Sequence, residues 1–149
     1  MLIGQKKLRS VTLIEILLVI ALMTIVLSFS LPVYQLLNVR NDLDLATIAI
    51  VQATRRAQIL SRGMSGDSAW GVKIQKGSLI LYKGSSFTSR DQNVDEQTAL
   101  APEIEVTGLD EINFSKLSGL PQNSGATILS SPTNETKNIF INEKGAITY

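Results

Sequence analysis

The side chains that could perform chemistry in this sequence are few, and most of them are carboxylates. The 149 residues include 13 Asp or Glu and 14 Lys or Arg, but no His and no Cys. This composition excludes zinc sites built from His and Cys, thiol nucleophiles, Ser-His-Asp triads and disulfides. An enzyme made from this chain would have to use carboxylates, Lys or Ser alone.

The spacing of these groups does not favour catalysis. Asp42 and Asp44 lie two residues apart in a predicted helix, so their side chains diverge by about 200°. Asp110 and Glu111 form an adjacent pair of the kind found on solvated loops. Ser65 lacks the Gly-x-Ser-x-Gly spacing of a nucleophile elbow, and the chain has no His to activate it. We therefore predict no catalytic residue.

A third group of carboxylates could in chemical terms bind calcium, but its spacing in the sequence is not that of a known calcium-binding loop. Asp91, Asp95 and Glu96 carry oxygen atoms that could bind Ca²⁺, but their positions match no EF-hand loop. The pair Asp95 and Glu96 is also typical of solvated loop charges. We predict no metal site and no cofactor.

Glu15 differs from the other carboxylates because its surroundings are apolar. Residues 11–31 read VTLIEILLVIALMTIVLSFSL, 21 residues with one ionisable group. As a helix this segment would span about 30 Å, the thickness of a bilayer core. A central charge costs about 2.5–3.5 kcal/mol on insertion. The 14 Leu, Ile, Val and Phe residues of the segment favour insertion by about 4–8 kcal/mol in total. Insertion is therefore favourable overall, and we predict a transmembrane helix.

The residues before this segment set its orientation. Lys6, Lys7 and Arg9 precede it without any acidic residue, which places the N-terminus in the cytoplasm and the chain after about residue 37 outside. We therefore predict a single-pass protein of the cytoplasmic (inner) membrane. Two simpler interpretations are a plain signal anchor with an incidental Glu15, and a secretory signal cut after Ser30.

The string from Ser10 to Glu15, S-V-T-L-I-E, followed by an unbroken apolar helix, resembles the class III leader of type IV pilins and type II secretion pseudopilins. The resemblance implies cleavage by the prepilin peptidase between Ser10 and Val11, and N-methylation of Val11. It gives Glu15 the position of the family's assembly glutamate. Pro32 falls where the family commonly has a proline, and we predict a helix kink there. The family usually has Gly before the cut, where this chain has Ser10.

Helical periodicity continues beyond the apolar segment. Apolar residues recur at spacings of three and four, on one helix face, as far as Gly63, a natural stop. We therefore predict one helix from about residue 11 to residue 62, with an Ala-rich stripe suited to close packing on a sheet. The members of the stripe are Leu43, Ala46, Ile50, Ala53, Ala57 and Leu60.

After Gly63 the apolar period changes to two, which predicts strands. The first hairpin comprises Trp70–Ile74 and Leu79–Tyr82 with a turn at Lys76 and Gly77. Residues 83–98 are polar, and we predict a loop. Further strands are predicted at Ile104 and Val106, at Ile112–Phe114, at Thr127–Leu129, and in a closing hairpin of Asn138–Ile141 and Ala146–Tyr149.

These elements predict an α+β fold. A long N-terminal helix, with a transmembrane half and an amphipathic half, would pack on antiparallel β-sheet strands in a pilin-like arrangement. The predicted organisation is a leader over 1–10, a transmembrane and assembly helix over 11–37, and a globular head over 38–149. The head comprises helix 38–62 and strands within 69–149. The string Trp70-Gly71 and the ending NIFINEKGAITY resemble the H-type minor pseudopilins.

The resemblance implies a non-enzymatic filament subunit, of a type II secretion pseudopilus or a type IV pilus-like fibre. Implied partners are other pilin or pseudopilin subunits, the prepilin peptidase, the inner-membrane assembly platform and the lipid bilayer. The head would be periplasmic or extracellular. The alternatives are a DNA-uptake pilin, supported thinly by Lys116, Lys137 and Lys144, and a membrane-anchored extracytoplasmic enzyme or binding protein. A net charge of +1 does not favour a nucleic acid partner.

The processing hypothesis predicts the mass of the mature protein. Cleavage after Ser10 removes ten residues, so the protein from its native host should begin at a methylated Val11. Intact-mass measurement of the membrane fraction distinguishes the interpretations. A chain that keeps its first Met would favour the plain anchor, and a chain that begins at Leu31 would favour the secretory signal.

Overall fold

The computed structural model describes the backbone of residues 11–149 and the side chains of residues 11–28 and 38–149. The predicted leader, including Ser10, lies outside the described residues. The chain divides into two compact units with a boundary between Leu36 and Leu37. We call the second of these, Leu37–Tyr149, the head unit.

Helix α1 spans Leu13–Arg62, which confirms the long predicted helix. Its end is fixed by Gly63, whose N–H donates to the Ile59 carbonyl at 2.8 Å, and a short 3₁₀ turn, Ser65–Asp67, follows. Pro32 lies within α1 among residues whose side chains are outside the described part, so the predicted kink stays a prediction. In the described residues, no helix has the length and apolar character needed to cross a membrane.

Eight strands form two antiparallel four-stranded sheets in the head unit. We call the sheet with strand order β3-β2-β1-β5 sheet A and the one with order β4-β6-β7-β8 sheet B. The strands are β1 Trp70–Gln75, β2 Ser78–Lys83, β3 Asp91–Ala99, β4 Glu105–Gly108, β5 Glu111–Phe114, β6 Gly125–Ser130, β7 Thr136–Ile141 and β8 Ile147–Thr148.

The predicted hairpins are confirmed, and their turns have the expected chemistry. β1 and β2 pair from Trp70 opposite Lys83 to Gln75 opposite Ser78, which leaves a two-residue turn. Gly77 occupies that turn with a φ of 76°, a left-handed conformation that favours glycine. The closing hairpin of β7 and β8 is shorter than predicted, because β8 contributes only two residues.

The prediction of a loop over residues 83–98 is wrong for half of its length, since β3 occupies Asp91–Ala99. This strand lies at the edge of sheet A, and eight of its nine residues are exposed. An edge strand with no buried face has no apolar alternation for sequence analysis to detect. Instead, β3 is held in place by backbone pairing with β2 and by two ion pairs. These join Arg90 to Asp95 at 2.8 Å and Arg56 to Glu96 at 2.7 Å.

One hydrophobic core joins α1 to both sheets. The helix contributes the predicted stripe, and the strands contribute alternate residues from their inner faces, as the period of two requires. The core residues are Leu43, Ala46, Ile50, Val51 and Ala57 from the helix, together with Trp70, Val72, Ile74, Leu79, Leu81, Leu100, Ile104, Ile112, Phe114, Leu129, Ile139 and Ile141.

A buried serine fastens the end of α1 to the centre of sheet A. The Ser61 hydroxyl is fully buried, and it accepts a hydrogen bond from the Trp70 N–H at 2.9 Å. The same hydroxyl donates a hydrogen bond to the Phe114 carbonyl at 3.3 Å. The Ser61 carbonyl accepts the N–H of Leu117 at 3.1 Å. One residue therefore connects the helix to β1, to β5 and to the segment after β5.

Replacing this hydroxyl should destabilise the head unit. Ser61→Ala leaves the buried Trp70 N–H without its acceptor, and we expect a loss of about 1–3 kcal/mol in the free energy of unfolding. Urea unfolding of residues 38–149, followed by circular dichroism, measures it. The control is Ser78→Ala, whose half-buried hydroxyl has no hydrogen bond among the described residues. Equal losses in the two variants would contradict the role given to Ser61.

Candidate functional site

The first turn of α1 contains two of the residues that the sequence singles out. The Glu15 N–H lies 3.1 Å from the Thr12 carbonyl and 3.3 Å from the Thr12 hydroxyl oxygen. Thr12 is therefore the N-cap of α1, and Glu15 follows three residues later, the order of a capping box. This cap explains why the helix begins at Leu13 rather than at Val11.

The carboxylate of Glu15 is exposed and has no ion-pair partner among the described residues. Its place in the first turn is electrostatically favourable, because free N–H groups give a helix N-terminus a partial positive charge. Val11 precedes the helix and is 63% exposed. The structure thus places Val11 and Glu15 on either side of the helix start, while Ser10 lies outside the described residues.

The apolar side chains on both sides of Glu15 form a surface that the first unit does not bury. Their exposed fractions run from 47% for Val19 to 78% for Leu13. A helix that is apolar around its whole circumference is normally covered by other helices or by lipid. The residues with this exposure include Ile14, Ile16, Leu17, Leu18, Ile20, Leu22, Met23, Ile25 and Val26.

The outer face of sheet A carries a cluster that sequence analysis missed. The Tyr82 hydroxyl donates to Glu111 Oε1 at 2.9 Å, and the same oxygen accepts the Phe87 N–H at 2.9 Å. The rings of Tyr82 and Phe87 meet edge to face at 5.6 Å. Gly71 lies beneath them, and a Cβ there would lie 2.5 Å from the Tyr82 hydroxyl. The Trp70-Gly71 string therefore makes room for a buried tyrosine.

An arginine completes this cluster and closes the segment between β2 and β3. The Arg90 guanidinium stacks 3.8 Å from the centre of the Phe87 ring and donates to the Phe87 carbonyl at 2.8 Å. Its Nε also donates to Asp95 at 2.8 Å. Asp95 and Glu111 are therefore partners of named side chains, not the solvated loop charges that their spacing suggested.

This cluster has the geometry of a structural clamp. Burial raises the pKa of Tyr82 well above its usual value, and the hydrogen bond to Glu111 acts in the same direction. The hydroxyl thus stays protonated at neutral pH and cannot serve as a base. Among the described residues no three carboxylates come together to hold a metal ion.

The helix and its two sheets define a class of fold. A long N-terminal helix whose second half packs on antiparallel sheets is the pilin-like α+β arrangement predicted from the sequence. In particular, the structure is similar to that of the minor pseudopilin EpsH from the type 2 secretion system of Vibrio cholerae. The similarity has a TM-score of 0.53 at 11% sequence identity and covers 72% of this chain and 94% of that one. No protein-family model matches this sequence, and no curated protein matches it.

The clamp predicts a pH-dependent stability. The folded-state pKa of Tyr82 lies above the unfolded value of about 10. Its stabilising contribution is therefore complete below pH 10 and is lost as the pH rises above it. Tyr82→Phe should cost about 1.5–3 kcal/mol at pH 8, because the hydrogen bond is to a charged group. It should lose less additional stability between pH 8 and pH 11 than the native chain does.

Urea unfolding at the two pH values measures both effects. The control is Tyr149→Phe, which removes an exposed hydroxyl and should change stability at pH 8 by less than about 0.5 kcal/mol. Parallel losses of stability with pH in the native and Tyr82→Phe chains would refute the role of the Tyr82 proton.

Proposed function

We propose that this protein is a non-enzymatic structural subunit of a type II secretion pseudopilus or a related type IV pilus-like filament, most similar to the H-type minor pseudopilins. The observation that supports this most directly is the similarity of its fold to the minor pseudopilin EpsH. The N-terminal segment adds independent support, since it combines a continuous apolar surface with one carboxylate close to the helix start.

The proposed maturation begins with removal of residues 1–10 by the prepilin peptidase, followed by N-methylation of Val11. The hydrogen bonds of Thr12 support this proposal. Because Thr12 caps α1, the helix begins after Val11, the residue on the C-terminal side of the proposed cut. A peptide bond outside a helix can reach the extended shape that a peptidase needs without unwinding helical hydrogen bonds.

Residues 11–37 would hold the subunit in the inner membrane before assembly and pack against other subunits in the filament. The head unit would then be periplasmic or extracellular. Both environments would cover the apolar side chains around α1, whose burial is favourable by about 25 cal/mol for each Å² removed from water. The inner-membrane assembly platform would transfer the subunit from one environment to the other.

Glu15 would direct this transfer. A lone carboxylate in an apolar environment is costly, and it is stabilised when a cation pairs with it. Between Val11 and Val39 the sequence offers no Lys, Arg or His. Cleavage would create a positively charged amine at Val11, and the amine of an adjacent subunit would then provide the partner for Glu15.

Substitution of Glu15 should therefore stop assembly without stopping insertion. Glu15→Leu removes the charge and its insertion cost, so the variant should still reach the membrane and be cleaved. It should be absent from sheared filaments, because the site for the neighbouring amine is gone. The neutral, similarly shaped Glu15→Gln should fail in the same way. Immunoblots of sheared filaments and of membrane fractions measure the two steps separately.

The matched control is Glu143→Leu, the same exchange at an exposed glutamate of the head unit. It should enter filaments at the native level. Normal incorporation of Glu15→Leu would show that the acid is incidental and would favour the plain anchor.

A further inference from the structure

An exposed apolar patch lies at the C-terminal end of the head unit's helix. Met64, Leu117 and Leu120 are 43%, 65% and 45% exposed. Two of them are neighbours by geometry, since the N–H groups of Met64 and Leu117 both donate to the Ser61 carbonyl, at 3.3 and 3.1 Å. With Arg62 they form what we call the helix-end patch.

The backbone of the helix-end patch is held in an unfavourable conformation. Met64 has a φ of 50° and Leu117 a φ of 72°, the left-handed region that non-glycine residues seldom adopt. Such conformations persist where the surrounding structure enforces them, and they concentrate at functional sites. Here they hold two large apolar side chains at the surface, where neither contributes to the core.

The charges around the helix-end patch are mainly positive. Arg62 donates to the Ser118 carbonyl at 3.3 Å, and among the described residues it has no carboxylate partner. Gly119 lets the arginine lie over this segment, because a Cβ there would collide with the Arg62 side chain. Lys116 directly precedes Leu117 in the chain and pairs with Asp67 at 2.5 Å. The helix-end patch therefore combines two exposed leucines with an arginine that can form an ion pair with a carboxylate of another molecule.

The N-terminal end of the same helix has the complementary features. A cavity of about 400 Å³, which we call the helix-start cavity, lies between α1 and the end of β3. Its lining is apolar except for one carboxylate, Asp42, which has no hydrogen bond or ion pair among the described residues. Leu45 at its rim is 64% exposed. The lining residues are Asp42, Leu45, Ala46, Ala49, Ala99, Leu100 and Ala101.

We propose that the helix-end patch of one copy docks into the helix-start cavity of a second copy. Leu117 would enter the cavity, and Arg62 would pair with Asp42 of the neighbour. The two sites differ and lie twenty residues apart on one helix, about 30 Å along its axis. A head-to-tail contact of this kind extends into an open filament rather than closing a two-fold dimer. This inference rests on the proposed role as a filament subunit and names one of its partners.

Engineered cysteines test the contact directly, because the native chain contains none. In full-length protein in its native membranes, the double variant Leu117→Cys with Leu45→Cys should form a ladder of disulfide-linked dimers, trimers and longer species under mild oxidation. Neither single variant should form dimers. Dimers from Leu117→Cys alone would indicate a two-fold contact between patches and would overturn the proposal.

Charge reversal provides a second test in the same double-cysteine background. Arg62→Asp and Asp42→Arg should each reduce the ladder several-fold, because each places like charges together. Combined, they should restore it, since every contact again joins opposite charges. The matched control is Arg55→Asp, an exposed arginine on the same helix that faces the Tyr149 ring instead, and it should leave the ladder unchanged. Loss of the ladder without rescue in the combined variant would contradict the pairing.

Sheared filaments from the same cells separate this inference from the proposed function. If the double-cysteine protein enters filaments but gives no ladder, or links only to other proteins, the contact is wrong and the filament role stands. If a ladder forms while the protein never enters filaments, the contact is supported and the filament role fails.

Discussion

The head unit depends on the two sheets, which together cover the single apolar stripe of its helix. Ala46 and Ala57 are almost fully buried, and their small side chains let strands pass close to the helix axis. Thr47 and Thr54 are buried on the same face without any partner from a sheet, because each hydroxyl donates to a carbonyl four residues earlier in α1. The hydroxyls of Thr47 and Thr54 are thus satisfied within the helix, and the face that they share can be covered by either sheet.

Two sheets share this surface, and separate polar contacts hold each of them in place. Sheet A is fastened at the end of the helix through the Ser61 hydroxyl. Sheet B is joined to the beginning of the head unit's helix, where Lys137 pairs with Asp44 at 2.9 Å and Arg40 with Glu135 at 2.6 Å. The exposed ion pairs contribute little stability individually. Their effect is to fix the position of β7 and of the residue before it, Glu135, against the helix.

The sequence is sufficient to predict elements whose signal is local. The first hairpin combines a period of two with a glycine turn, and the helix combines a period of 3.6 with Gly63 as its stop. The order of strands within each sheet has no such local signal. β3 remained undetected because its stability comes from pairing with β2 and from Arg56, forty residues away in the chain. The Tyr82 clamp was missed for the same reason, since Glu111 lies 29 residues beyond the tyrosine.

A chain without cysteine must hold its long connections by other means, and the segment between β2 and β3 illustrates the consequence. Glu111 accepts two hydrogen bonds there, and Arg90 combines a ring contact with two donated hydrogen bonds. Charge-assisted hydrogen bonds of this kind are stronger than neutral ones and restrict geometry more tightly. The partners of Arg90 lie within five residues of it, but Glu111 is 29 residues from Tyr82 and 24 from Phe87. The two Glu111 bonds therefore form only when β5 has joined sheet A. The ordering of the segment that leads to the edge strand β3 therefore depends on the central strands β1 and β2, where Gly71 provides the space that Tyr82 occupies.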